Sequence, residues 1–410
     1  MINIKKIILF FYAFYILYTP NFSFISSLFS PSIVLLLLSL ANIILLNRKL
    51  LSFVKKMKVV HIFICFIVLT AYVSIVNYLN GFYIFDYVSN IVMCYNLINY
   101  ISLFIWYEKI YKNNKFLEYI IFIGLSQAVI SLLMVLIPGF KEFANMLYIE
   151  GENPSLNLLG ITNHRIYGIG SGYTVALPFI QSFMGILSLY IVDKKMNIKY
   201  LFYSLFLAWS VLLNNRTGFI IYVLVLLMFV FKKLFTRISL NAVIMTFFII
   251  SLLILVPRFF QDSDKLQWLT ASIADVFNYI LHGDRSDYTQ SLTQDFLKFP
   301  QGLSLIFGTG HRAFGEKARY FLGFNSDIGY VNDLFKGGLI YVITLYLTIF
   351  INLSRRISNK FLLASIVLFM IIANYKGEII NGSAVMMLAL ITSIALNYYS
   401  KIMIVCKQKY

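Results

Sequence analysis

Between residues 306 and 338 the chain reads IFGTGHRAFGEKARYFLGFNSDIGYVNDLFKGG, a concentration of glycine, arginine, histidine and carboxylate in a sequence that is otherwise 60% hydrophobic. These residue types suit an anion. A GTG turn at 308–310 bends the backbone sharply and lets it approach a ligand closely. Asn325, Ser326 and Asp327 are good N-cap residues for a helix starting near Ile328. The free N–H groups and positive dipole end of such a start attract phosphate. A capped helix beneath a glycine turn explains the same residues and is the simpler reading.

Arginines add a second signal. Arg165, Arg216, Arg258, Arg285, Arg312 and Arg319 lie between apolar runs or at their rims. A guanidinium fork grips phosphate bidentately, so several converging arginines would hold a diphosphate. Arg258 and Arg319 read as surface ion pairs. Arg216, in NNRTG, sits in a hairpin too short to leave the membrane surface, where a charge needs a partner or a task. Asp333 and Lys336 lie one helical turn apart and are expected to pair with each other. His282, Asp284, Asp287, His311 and Glu316 match no metal-ligand spacing, so no metal is expected. There is no serine nucleophile elbow and no phosphate loop of the Walker kind.

Composition dictates what must position these groups. A mean hydropathy of +0.81, with 12% charged residues, 39 Phe and 29 Tyr, excludes an ordinary soluble core and predicts one all-α polytopic membrane domain over 1–410. Apolar runs of about 20 residues, enough to cross a ~30 Å hydrocarbon layer, recur along the chain. Twelve spans are expected, over 7–24, 25–46, 59–79, 84–106, 116–137, 173–192, 198–213, 217–235, 238–256, 328–351, 360–376 and 382–400. The first follows Lys5 and Lys6 without a small-residue cleavage site and reads as an uncleaved anchor. No internal repeat is visible, nor the paired broken helices of an inverted-repeat transporter.

Basic clusters occupy every second connection: Lys5/Lys6, Arg48 to Lys58, Lys109 to Lys115, Lys194 to Lys199, Lys232 to Arg237, Arg355 to Lys360 and Lys401 to Lys409. By the positive-inside rule these connections and both termini are cytoplasmic. That side carries 22 of the 34 basic residues and 3 of the 17 acids, about +19, against about −2 on the other. The net charge is thus a topology signal, and without a basic face bearing stacking aromatics it does not indicate nucleic acid. Cys65, Cys94 and Cys406 fall in spans or the basic tail and staple no outer loop.

Two outer connections are long, 138–172 and 257–327, and are expected to hold the function. The second contains SDYTQSLTQDFLKF, with Tyr288, Leu292, Phe296 and Phe299 at helical spacing, which predicts a helix lying on the membrane face. Asp86, and Lys376 with Glu378, add polarity near the outer leaflet, and no ionisable residue is expected squarely mid-bilayer.

This arrangement resembles the O-antigen polymerases of the Wzy type, within the wider superfamily that includes the O-antigen ligases. NNRTG at 214–218 resembles that family's outer Arg-Thr/Ser hairpin. LIFGTGHRAFG resembles its glycine-x-glycine segment, and NSDIGYVNDLFKGGLI the stretch entering the next span. Arg312, with ten residues before Gly323, fits the family's arginine-glycine spacing, whereas eleven residues beyond Arg165 stands Ala176.

The resemblance implies a GT-C-like helical fold in the bacterial inner membrane with two large periplasmic loops. It implies that undecaprenyl-diphosphate-linked oligosaccharide units are polymerised into O-antigen or capsule, without metal or cofactor. Charge building on the diphosphate needs preorganised cations. On this resemblance Arg165, Arg216, Arg285 and Arg312, with His164, Tyr330 and Lys336, are expected to bind diphosphate or sugar. The acceptor hydroxyl needs a proton acceptor, for which Asp327 and His311 are the candidates. A chain-length regulator and a flippase are the implied partners. An O-antigen ligase shares the architecture but carries histidine where this chain has Asp327, which favours the polymerase. A flippase or other transporter needs no long outer loops and wants polar residues lining mid-bilayer.

With 138–172 and 257–327 facing the periplasm, cysteines placed at Ser155 and Ser291 should react with a membrane-impermeant maleimide in intact cells. Protection of both until the inner membrane is opened overturns this topology.

Overall fold

The computed structural model describes residues 3–20, 22, 30–81, 88–147, 166, 168–170, 176–236 and 296–407. Among them are fourteen helices and no β-strand. The helices are α1 (Ile4–Tyr18), α2 (Pro31–Lys56), α3 (Val60–Leu79), α4 (Val88–Tyr111), α5 (Phe116–Leu136), α6 (Pro138–Leu147) and α7 (Ala176–Lys195). They continue as α8 (Ile198–Leu212), α9 (Arg216–Thr236), α10 (Leu303–Phe307), α11 (Glu316–Leu322), α12 (Gly329–Arg356), α13 (Lys360–Lys376) and α14 (Ala384–Lys407). Seven of them, α2, α3, α5, α7, α9, α12 and α14, are long and apolar enough to cross a membrane. The chain is therefore an all-helical multi-pass membrane protein. Helix overlaps eleven of the twelve expected segments, and the remaining one, 238–256, lies outside the described residues.

Three local readings are corrected. The basic run Arg48 to Lys56, expected in a connection, continues α2, because Lys and Arg are good helix formers; the geometry breaks instead at Asn47 (φ 33°, ψ −113°). α12 breaks too, at Gly338 (φ 65°, ψ −165°), so interrupted helices are present where none was visible in the sequence. Residues 296–299, the described part of the helix expected from 286 to 299, are not helical, and the rest of that stretch lies outside the described residues.

At the centre stands α7, buried continuously from Leu177 to Val192. Its small residues let neighbours approach closely. Ser182 Oγ donates to Gly218 O of α9 (2.9 Å), and Ser188 Oγ donates to Tyr200 O of α8 (2.6 Å). Ser204 Oγ of α8 donates to Gly185 O of α7 (2.8 Å). The outward faces stay apolar, with Leu37, Leu40 and Ile44 of α2, Ile64 and Ile67 of α3, and Ile343 and Leu347 of α12 all exposed. Such faces suit lipid rather than water.

One end of the bundle gathers the basic clusters. Arg356 donates to the carbonyls of Met57 and Lys58 (both 3.2 Å), joining the α12–α13 and α2–α3 turns. Lys56 lies over the Tyr398 ring of α14, Tyr399 donates to Glu108 of α4, and Lys6 of α1 lies over Tyr111. Lys195 of α7 pairs with Glu118 of α5, while Lys232 and Lys233 of α9 grip Asp193 at 2.6 and 2.8 Å. The alternation of basic connections along the sequence is thus one continuous surface.

Gly338→Ala should be costly, because its added Cβ would lie 2.3 Å from the Ile306 carbonyl oxygen at a φ of +65°. Left-handed strain and backbone overpacking together predict a loss of roughly 3 kcal/mol, seen as a lower melting temperature in detergent. Gly139→Ala, whose Cβ meets nothing within 4 Å, should melt no lower than wild type.

Candidate functional site

The break in α12 frees backbone groups that cost several kcal/mol each if left unsatisfied in a membrane. The segment following α10 satisfies them. Thr309 donates to Phe335 O from its N–H (2.7 Å) and from Oγ1 (2.9 Å). From α3, Tyr72 OH donates to Phe307 O (2.9 Å) with Gly337 O also in reach (3.3 Å). Asn77 and Asn80 donate to Gly310 O (2.9 Å) and Thr309 O (3.1 Å). A Cβ on Gly308 would lie 2.5 Å from Gly337 Cα, and one on Gly310 would lie 2.3 Å from Asn77 Cα. The GTG glycines are therefore required by contact between this chain's own backbones. That favours the structural reading of the turn over a phosphate cradle.

The start of α12 is likewise closed to an anion. Ile328 holds the N-cap position without a side-chain bond, which corrects the expected capping role of Asn325, Ser326 and Asp327. Asn325 instead accepts from Gly315 N (2.9 Å), and Ser326 Oγ donates to Phe296 O (2.8 Å) and accepts from Ile328 N (3.2 Å). Gly329 is buried, with its Cβ position 2.4 Å from Gly377 O and 2.6 Å from Asn374 O. Carbonyl oxygens stand where phosphate would have to approach. Asp327 is exposed.

Lower in α12, Asp333 and Lys336 are fully buried and do not pair as expected. Lys336 Nζ donates to Asn90 Oδ1 (2.8 Å), Tyr341 OH (3.2 Å) and Asn381 Oδ1 (3.3 Å). Asp333 Oδ2 accepts from Tyr346 OH (2.6 Å), whose oxygen accepts from Asn374 Nδ2 (2.6 Å). Asn374 Oδ1 in turn caps Ile379 N (2.8 Å) and Ile380 N (3.0 Å). Asp333 Oδ1 and the Nδ2 atoms of Asn90 and Asn381 are buried without a hydrogen-bond partner. With a rise of about 1.5 Å per residue, the cluster lies about 6–10 Å below the helix start.

Above it sit the titratable groups of the 308–328 segment. His311 is buried, donating from Nδ1 to Arg312 O and meeting the edge of Phe321 at 6.1 Å. Arg312 reaches Glu378, beyond the end of α13, at 3.6 Å and lies over Phe314 at 5.7 Å, with its side chain 42% exposed. Tyr330 donates to Ile371 O of α13 (2.6 Å), so its hydroxyl serves the α12–α13 contact.

Arg216 opens α9, and register places it. Phe229 of α9 meets Phe361 of α13 at 6.0 Å, and Lys232 lies over the same ring at 5.1 Å. Near the other end, a Cβ on Gly218 would touch Phe179 at 3.4 Å, and Phe179 meets Phe369 at 5.9 Å. The helices are antiparallel, and thirteen residues from each ring, about 20 Å, bring the Arg216 backbone level with Asn374. NNRTG and the Arg312–Glu378 pair therefore share the bundle end opposite the basic surface. Ile166 N–H donates to Leu213 O (3.2 Å), and Gln127 of α5 brackets Ile169 through its carbonyl (3.0 Å) and N–H (3.3 Å). That pins the end of the first long connection beside NNRTG. His164, Arg165 and Arg285 lie outside the described residues.

Sequence reasoning missed Asn77, Asn90, Asn374, Asn381 and Tyr346. The available signal was amide side chains inside apolar runs, where each needs a partner. No family model, curated protein or solved structure matches this chain.

Asn374→Leu removes one donor and one double acceptor together and should lower the melting temperature more than Tyr346→Phe. Unmade buried hydrogen bonds cost about 1–3 kcal/mol each, so equal melting of the two variants overturns the central position given to Asn374.

Proposed function

We propose that this chain is a polysaccharide polymerase of the Wzy type in the bacterial inner membrane, joining undecaprenyl-diphosphate-linked repeat units at the periplasmic face. The observation that carries the reading is convergence: the two segments resembling the family's motifs, NNRTG and GTGHR, lie at one end of the bundle, the first level with the end of α13 and the second joined to Glu378 just beyond that end. On this reading the basic surface faces the cytoplasm, twelve spans include 238–256, both termini are cytoplasmic, and 138–172 and 257–327 are periplasmic. The helical frame is GT-C-like, and a chain-length regulator and a flippase are its partners.

The chemistry follows from the groups available. The acceptor hydroxyl attacks the anomeric carbon of the growing chain, the carbon–oxygen bond to the diphosphate breaks, and the hydroxyl proton passes to a base. Arg216 and Arg312, joined by Arg165 and Arg285, take up the charge developing on the diphosphate. The Arg312–Glu378 contact, 3.6 Å and partly exposed, is loose enough to yield to a phosphate. Asp327 suits the base because it is exposed, whereas buried His311 is engaged with the backbone of Arg312 and orients that loop. Lys336 and Tyr330 act as supports rather than direct ligands, given their internal partners.

A second reading, transport of a lipid-linked glycan, is favoured by the interrupted α12 with its buried Asp333 and Lys336, a pattern found at transporter sites.

Purified protein supplied with synthetic lipid-linked repeat units separates the two. The polymerase reading expects chain extension that Arg216→Ala or Arg312→Ala lowers by about 10²-fold or more, with Lys restoring only part. Asp327→Asn should abolish extension without unfolding, and near-normal extension moves the base role to another group. Vesicles that translocate the glycolipid without extending it support transport instead.

A further inference from the structure

We infer that a cavity at the basic end, between α2, α4 and α14, binds the phosphate headgroup of an anionic phospholipid. It is a shallow depression open to the outside, about 350 Å³ in volume, with Phe53, Ile105 and Tyr398 as its apolar lining and the exposed Arg48, Lys49, Ser52 and Lys56 as its polar lining. The polar four stand at i, i+1, i+4 and i+8 along α2, so one helix face presents three cations and a hydroxyl. No carboxylate lines the cavity. Glu108, one turn beyond Ile105, is engaged by Tyr399.

Charge alone does not distinguish this place, since the whole end is basic. Its neighbours differ in being answered: Lys195 by Glu118, Lys232 and Lys233 by Asp193, and Arg356 by two carbonyls. Arg48 and Lys49 form no ion pair among the described residues. The cavity has a formed side, because Phe53 packs on Phe104 at 5.5 Å and on Tyr398 at 5.8 Å, and Lys56 lies over that Tyr398 ring at 5.6 Å. The break at Asn47 sets off this cationic stretch from the apolar part of α2.

A lipid, rather than soluble phosphate, is favoured by what adjoins the cavity. On the other side of Asn47, Leu37, Leu40, Ile44 and Leu45 are 49%, 48%, 76% and 69% exposed, a continuous apolar stripe on which acyl chains can lie while the phosphate meets the cations. The inference stands independently of the polymerase reading.

Native mass spectrometry of the full chain, titrated in detergent with phosphatidylglycerol or phosphatidylcholine of the same acyl chains, tests it. Phosphatidylglycerol should be retained preferentially, and the R48Q/K49Q/K56Q variant should bind it about tenfold or more weakly. A K109Q/K112Q/K115Q variant, which removes as many cations from a neighbouring turn, should lose no more than about twofold, and R48K/K49R/K56R should bind as wild type. Should the triple Gln variant fail to insert, Lys49→Gln alone should weaken binding about threefold. Equal retention of phosphatidylcholine, equal losses in the two Gln triples, or displacement by millimolar inorganic phosphate each overturns the proposal.

Discussion

The structure around the candidate site depends on one backbone-to-backbone contact. α12 could not be interrupted at Gly338 in an apolar bundle unless something else bonded the groups the interruption exposes. Thr309 does so through Phe335 O, and Tyr72, Asn77 and Asn80 fasten the same segment from α3. Three glycines, Gly308, Gly310 and Gly338, make this approach possible, and none tolerates a Cβ at its present position. The segment that carries His311 and Arg312 is consequently fixed to a broken helix on one side and to α3 on the other.

The interruption brings polarity into the bundle. Asp333 and Lys336 lie one turn apart, yet each is held by a separate set of amides and tyrosines from α4, α12, α13 and the α13–α14 turn. A buried charge is costly unless hydrogen-bonded, and dividing the partners gives Lys336 three acceptors and Asp333 Oδ2 one donor. Asn374 joins this set to the backbone at Ile379 and Ile380, and Glu378 of the same turn holds Arg312. The arginine at the surface and the carboxylate below it thus share one support.

The basic end has a different role. Its contacts are mostly exposed or half-exposed, and pairs of that kind contribute little individually. They nevertheless hold the turns of eight helices in one surface, leaving the opposite end to NNRTG, Arg312 and Asp327. On the proposed reading, function is assigned to that opposite end.

The sequence by itself determined the helical membrane class, the approximate place of the eleven described helices that overlap expected spans, and the segregation of basic turns, because hydropathy and charge act locally and add along the chain; α6, α10 and α11, inside the two long connections, were not among its expectations. It also marked 306–338 as the polar concentration. What it left undecided was the partner of each polar group. Asn77 meets Gly310 across 233 residues, and Lys336 meets Asn90 across 246. No local pattern encodes such pairings. The same limit left GTG open between a ligand turn and a structural one, and made Asn325 to Asp327 look like caps and Asp333 and Lys336 like a pair. Each motif was visible, but whether its glycine admits a ligand or another backbone, and whether its charge meets a neighbour or a distant amide, was decided only by which helices pack together.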